Sequence, residues 1–311
     1  MLMDNAVLVV TQALILFILI GVGFLVRKVR MMDDTGLQQM NTLLLVIVNP
    51  CLIIQSFQNS FDRGLIHGIV VALLAALVTH GVGAVLARLV FRRLPQAQSR
   101  ILQFSTIFSN CAFMGVPLLN ALLGSEGVLY GSVYIAVYNA LSWTYGVILL
   151  TGNHREMNIR KALINPGTVA IFIALPLFLL QIRLPVVPLT IIDYLAALNA
   201  PLAMIIIGAQ MAVIPFFSLF RHKAVYISAF LRLLLIPGVM LFLLSFFRLD
   251  RTVLLACLIP AMAPTGIVST LFAIRYKQDA ALATRSVALS TLFSIVTMPL
   301  MIVFADWINR F

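Results

Sequence analysis

Acidic side chains are scarce: Asp and Glu together number ten in 311 residues, and none sits deep within an apolar run. Glu126 and Asp193 come nearest, at the edges of such runs, while the other eight fall in tails and loops. A carboxylate proton relay or a dedicated sodium site inside a membrane therefore has few residues to build on. Cysteine is limited to Cys51, Cys111 and Cys257, all in apolar stretches and without metal-ligand spacing, so no disulfide framework or thiolate metal site is indicated. Four histidines are scattered and no His-Glu-x-x-His motif occurs, which leaves an intramembrane metallohydrolase without ligands. No catalytic set, metal site or cofactor site can be assembled, and the chain is not read as an enzyme. Charge as a whole is sparse, at 10% of residues against 62% hydrophobic, with a mean hydropathy of +1.09. A soluble domain of this length could not hide so much apolar surface, so the bilayer is the solvent.

What is present is a series of long apolar runs. A membrane span needs roughly 20 apolar residues. Breaks at charge and turn clusters give ten, near 6–26, 37–57, 65–90, 101–123, 127–150, 164–182, 189–213, 224–247, 252–274 and 282–308. The first is too long for a signal-peptide core and is followed by Arg27, Lys28 and Arg30, so it reads as a retained span. The net charge of +11 is placed in short loops, which argues against nucleic acid as partner. Loops after spans 1, 3, 5, 7 and 9 hold fifteen Lys and Arg, including Arg88, Arg92, Arg93, Arg100, Lys161 and Arg221. The opposite side holds five: Arg63, Arg183, Arg248, Arg251 and Arg310. The richer side is cytoplasmic by the positive-inside rule, which predicts a multi-pass protein of the cytoplasmic (inner) membrane with both termini outside.

Two of the runs are interrupted. FSTIFSNCAFMGVPLLNALLG breaks around Asn110, Gly115 and Pro117, and ACLIPAMAPTGIVSTLFA breaks around Pro260, Pro264 and Gly266. Proline removes a backbone donor and obstructs the preceding turn, so each helix is expected to open there. Lipid cannot satisfy freed backbone groups, and such breaks survive only within protein or beside a polar cavity. Paired interruptions in two halves point to the binding site of a secondary transporter.

The halves also correspond. NTLLLVIVNPCLII in span 2 and YLAALNAPLAMIII in span 7 each set an Asn beside or near a Pro, at Asn49–Pro50 and at Asn199 with Pro201. Pro50 to Pro201 is 151 positions and Pro117 to Pro264 is 147, both near half of the chain. Five spans per half is an odd number, so a duplicated half must be inverted. The expected architecture is an all-α membrane protein of two inverted five-helix repeats, residues 1–151 and 164–311, joined by a cytoplasmic linker at 152–163. Broken helices crossing at mid-membrane would bring four helix ends together, with N–H groups that suit an anion and carbonyls that suit a cation or donor.

At these residues the chain resembles the auxin efflux carrier family. NCAFMGVPLLNALLG is similar to that family's first crossover, PTGIVSTLFAIRY to its second, and NAPLAMIIIGAQMA to its seventh span. The resemblance runs over nearly the whole chain. The loop after span 5 is short, Thr151 to Lys161, as in compact bacterial members. The resemblance implies an elevator-type carrier, with a scaffold from spans 1, 2, 6 and 7 and a transport domain from spans 3–5 and 8–10. It also implies small organic anion substrates, such as indole-3-acetate, malate or malonate, and a homodimer joined through the scaffold. Carried over by position, Asn110 matches the crossover asparagine that meets the substrate carboxylate, and Pro117 and Pro264 match the crossing prolines. Asn139 in NALSW stands at a polar position four before Trp143. The Asp and Lys that plant members carry in span 3 have no counterpart here, where the run offers only His67 and His80.

The substrate-binding candidates are accordingly Asn110, Cys111, Met114, Pro117, Asn139, Pro264, Thr265 and Gly266. Gly266 would permit close backbone approach. Arg232, set well inside a span, and His80, whose side-chain type in water titrates near neutral pH, are the candidates for a charge or proton role. Asn49, Gln55, Asn199 and Gln210 are expected to line the cavity from the scaffold. Tyr130, Tyr134 and Tyr138 form a stripe on span 5 that reads first as a packing face. The alternative to an anion permease is a sodium-coupled organic-anion symporter of the bile-acid-type fold, which calls for more polar and acidic residues at the crossover than NCAFMGVP and PAMAPTG provide.

Overall fold

A computed structural model describes residues 2–58, 63–156, 160, 164–213 and 222–308. Lys161, Arg221 and Arg310 of the charge count, the side chain of Arg63, and linker residues 157–159 and 161–163 lie outside the described residues. The described elements are helices: α1 (Leu2–Lys28), α2 (Asp34–Ser56), α3 (Arg63–Phe91) and α4 (Gln96–Ile107), then a run Cys111–Thr151. After it come α7 (Pro166–Leu179), α8 (Val186–Met211), α9 (Lys223–Ser245), α10 (Arg251–Met262), α11 (Val268–Arg275) and α12 (Ala280–Ile308). Six of the described helices are long and apolar enough to cross a membrane. Large apolar side chains such as Leu25, Leu74, Val85, Phe172, Phe242 and Val296 stand on the outside, where lipid rather than water suits them.

The Cys111–Thr151 run has 41 residues, roughly 60 Å as one straight helix and about twice a bilayer core. It does not stay straight. Gly124 takes φ 64° and ψ −153°, a conformation open to glycine, and divides the run into α5 (111–123) and α6 (125–151). The chain folds back there, because Leu119 of α5 packs against Gly131 of α6.

Prolines disturb these helices less than their chemistry alone predicts. Pro50, Pro117 and Pro237 each follow by two residues a π-helical turn, at Leu44–Val48, Cys111–Gly115 and Leu231–Leu235. A π turn carries an extra residue and shifts the bonding register, which accommodates the missing N–H and the ring without opening the helix. The expected opening at Pro117 is therefore corrected: the helix widens there, and the chain unwinds earlier, at residues 108–110. Likewise Pro260 stays inside α10, and the second break covers residues 263–267, with Pro264 in it.

Packing gathers the helices around those breaks. α1 lies along the second half of α8, and α2 is flanked by α7 and the first half of α8. α3 and α10 pack on the α5–α6 hairpin, while α12 packs on α9 and α11. A Cβ at Gly208 would collide with the backbone of Ile20, so α1 and α8 approach to backbone contact. Asn49 and Asn199, each set near a proline, meet directly: the Asn199 amide donates to Oδ1 of Asn49.

Candidate functional site: two crossed helix breaks and their cavity

α4 and α10 have 12 residues each, about 18 Å of helix and half a membrane. Both stop because the backbone turns extended, at Phe108 (φ −98°, ψ 107°) and at Ala263 (φ −60°, ψ 145°). The two extended pieces then pair antiparallel at Ser109 and Thr265. Asn110 N–H donates to the Pro264 carbonyl at 2.7 Å, and Gly266 N–H donates to the Phe108 carbonyl at 2.9 Å. Backbone groups lost from the helices are thus satisfied across the crossing, as a site without water requires. Thr265 completes the join: its N–H donates to Ser290 Oγ of α12 at 3.0 Å, and its hydroxyl donates to the Ser105 carbonyl at 2.9 Å. A Cβ at Gly266 would stand 2.8 Å from the Ser109 carbonyl oxygen, so the approach needs glycine.

One side of the crossing holds the last carbonyls of α4 and α10, which have no helical donors of their own. Arg232 of α9 reaches them and is fully buried. Its Nη1 donates to the Thr106 and Ile107 carbonyls at 3.2 and 3.1 Å. Its Nε donates to the Ala263 carbonyl at 3.1 Å, and its Nη2 donates to that of Ala261. The guanidinium is engaged by both chain breaks at once.

The other side of the crossing borders a cavity of about 590 Å³. Ala112 and Phe113, in the first turn of α5, line it beside Ile267 and Val268 at the start of α11. The N–H groups of first-turn residues have no helical acceptor, so both half-helices end on the cavity with donors and positive dipole ends. Asn110 borders it as well; it occupies the N-cap position of the π turn, yet its side chain makes no cap hydrogen bond. Asn49, Tyr138, Asn139 and Gln210 add polar groups, and Ile53, Val116, Ile135 and Leu271 add an apolar wall. The cavity extends past Asn41 and Gln38 to Asp34, whose side chain is 89% exposed and paired with Arg27. A solute with one anionic end and an apolar body matches such a lining.

Of the residues expected to bind substrate, Asn110 and Asn139 line this cavity, and of the scaffold candidates Asn49 and Gln210 do. Pro264, Thr265 and Gly266 form the crossing itself, and Cys111 is wholly buried just after it. Met114 faces a separate small apolar cleft with Leu16, Met204 and Met298, and Pro117 lies inside the helix. Gln55 donates to Asp193 Oδ1 at 2.6 Å, and Asn199 is held by Asn49. His80 lies behind the crossing: its Nδ1–H donates to the Ala76 carbonyl at 2.7 Å and its ring packs 5.3 Å from that of Tyr134 and 5.8 Å from that of Phe108. Sequence reasoning missed Asn165. Its Oδ1 caps α7 by accepting from Thr168 N–H at 3.0 Å and also accepts from the Asn139 amide at 3.1 Å. The signal was there, since Asn followed by Pro166 is an N-cap with proline at the first helical position.

Two stretches, residues 8–159 and 151–302, match the family described as "Membrane transport protein". The chain is also similar to an uncharacterized transporter of Methanothermobacter thermautotrophicus, with 24% identity over 294 residues, covering 91% of this chain and 94% of that one. The chain therefore belongs to the membrane transport protein family, the auxin efflux carrier-like group that its crossover motifs resemble.

Proposed function

We propose that this protein is a secondary carrier that moves small organic anions across the cytoplasmic membrane by alternating access, holding the anionic end of its substrate at the crossing. The observation that carries this reading is the cavity on which two half-helix N-termini and the uncapped Asn110 side chain converge. A carboxylate placed there meets backbone donors and an amide without needing a lysine or arginine in the lining. The apolar wall favours an organic body over an inorganic ion.

In this reading the chain has ten spans in two inverted repeats: α4 with α5 forms the fourth and α10 with α11 the ninth. The close packing of α1, α2, α7 and α8 supports their assignment as a scaffold, and the remaining helices are the part that moves. The cavity reaches the starts of α2 and α7, which follow the loops rich in Lys and Arg. With that side cytoplasmic, the conformation described is open inward.

Thermal-shift measurements of purified protein against acetate, malonate, malate and indole-3-acetate, followed by counterflow in proteoliposomes, test the assignment. At least one carboxylate should raise the melting temperature in a saturable way and exchange across the bilayer. A protein that responds to none of them, or responds equally to neutral amide analogues, is not a carboxylate carrier.

A further inference from the structure

We propose that Arg232 sets the charge of the crossing: it is a tethered cation, caged by the terminal carbonyls of both broken helices, that leaves the site net positive and so selects anions. This rests on the anion reading above and deepens it.

Four helix ends meet here. The C-terminal ends of α4 and α10 each carry roughly half a negative charge, and the N-terminal ends of α5 and α11 each carry roughly half a positive one. Left alone, the four cancel, and the crossing would attract a cation to its carbonyls as readily as an anion to its N–H groups. Arg232 adds one full positive charge at the carbonyl side, where its guanidinium meets Thr106, Ile107, Ala261 and Ala263. It is fully buried, and the ion pairs among the described residues are Arg27–Asp34 and Arg251–Asp306, so no carboxylate cancels it. The carbonyl dipoles that replace one are the negative helix ends themselves. What remains uncompensated is the positive pair of N-termini on the cavity. Ile107 precedes Asn110 by three residues, which limits their separation to about 10 Å, a range over which a buried charge acts on a ligand with little screening. The same side chain also fills the seat that a mobile cation would take among these carbonyls.

A staple that merely holds two helices together would show the same contacts, so the test must separate charge from geometry. Arg232→Lys keeps the charge with a poorer fit, Arg232→Gln keeps amide donors without the charge, and Arg232→Ala empties the cage. Malonate and indole-3-acetate serve as probes, with Kd read from thermal shifts. Arg232→Gln should weaken the probe that binds wild type by roughly tenfold or more, while Arg232→Lys stays within about threefold. Equal weakening in both, or wild-type affinity in Arg232→Gln, overturns the proposal. Where Arg232→Gln yields no folded protein, Arg232→Lys decides: near-wild-type affinity supports the proposal, and a tenfold loss or a failure to fold overturns it. A second measurement needs no substrate. Arg232→Ala should melt roughly 10 °C below wild type in sodium chloride and recover part of that loss when guanidinium replaces sodium at tens of millimolar, whereas wild type gains nothing. If wild type binds neither probe, this recovery alone decides for the cage, its presence supporting a cation seat and its absence overturning it, and the substrate assignment itself fails only if acetate and malate are also without effect.

Discussion

Asn110 is available to a ligand because the crossing relieves it of other duties. Its backbone N–H is spent on Pro264 and its carbonyl accepts from Met114 and Gly115, while its side chain caps nothing. Asn110→Ala should therefore cost little stability and much affinity. A hydrogen bond to a charged group contributes about 1.5–3 kcal/mol, so the Kd of the responding carboxylate should rise roughly 10- to 100-fold with the melting temperature within a few degrees of wild type. Asn139 is a different case, since its amide already donates to Asn165; Asn139→Ala should lower the melting temperature and weaken binding by less. A variant pair in which Asn139→Ala lost more affinity than Asn110→Ala would reverse these roles. At this scale the sequence was informative where a residue's local chemistry decided its use. Asn110 and Gly266 stood out because Asn favours helix ends and Gly permits close backbone approach, so each marked a break in an apolar run. Arg232 stood out as a charge in an apolar run, but its partners are carbonyls of segments 29 to 126 positions away. Backbone acceptors carry no residue identity, so no pattern of letters could name them.

The elements show the opposite balance. Their helical character and apolar surfaces follow from the apolar runs, and the paired interruptions are visible as motifs. The exact unwound residues are not, because the local effect of proline was offset by π turns that three of the helices adopt just before it. Close helix approach was also hidden, since glycine is common in such segments and only the partner tells which one matters. Gly208 and Gly21 make the distinction testable. A Cβ at 208 would strike the Ile20 backbone of α1, whereas a Cβ at 21 meets nothing within 4 Å. Forcing two backbones apart disrupts packing along the whole α1–α8 contact and costs about 1–3 kcal/mol. Gly208→Ala should lower the melting temperature by several degrees and broaden the size-exclusion peak of detergent-purified protein, while Gly21→Ala matches wild type. Equal melting of the two variants would show that α1 and α8 are not held at backbone contact.

For the whole molecule, the charge asymmetry of the loops predicts the orientation, and orientation with the substrate's charge sets the driving force. Arg93 lies in a loop on the positive side. With Cys51 replaced by serine and the two remaining cysteines buried, Arg93→Cys should react with a membrane-impermeant maleimide in inverted vesicles and stay unreacted in intact cells. Labelling from outside alone would invert the topology and turn the cavity outward. If the topology holds, an anion entering the inward-open cavity leaves a negative interior and gains about 2.3 kcal/mol per charge per 100 mV. That corresponds to roughly fiftyfold accumulation on the positive side at equilibrium, with one factor of ten per 1.36 kcal/mol. Among the described residues no carboxylate lines the crossing to bind a coupling cation; Asp34, at the far mouth, is the acidic residue of the cavity's described lining. In proteoliposomes carrying a valinomycin-clamped potassium gradient, uptake of the responding carboxylate should follow the sign of the potential and reverse with it, and an imposed sodium gradient at zero potential should drive none. Sodium-driven uptake at zero potential would move the protein to the symporter reading and require a cation seat other than the one Arg232 fills.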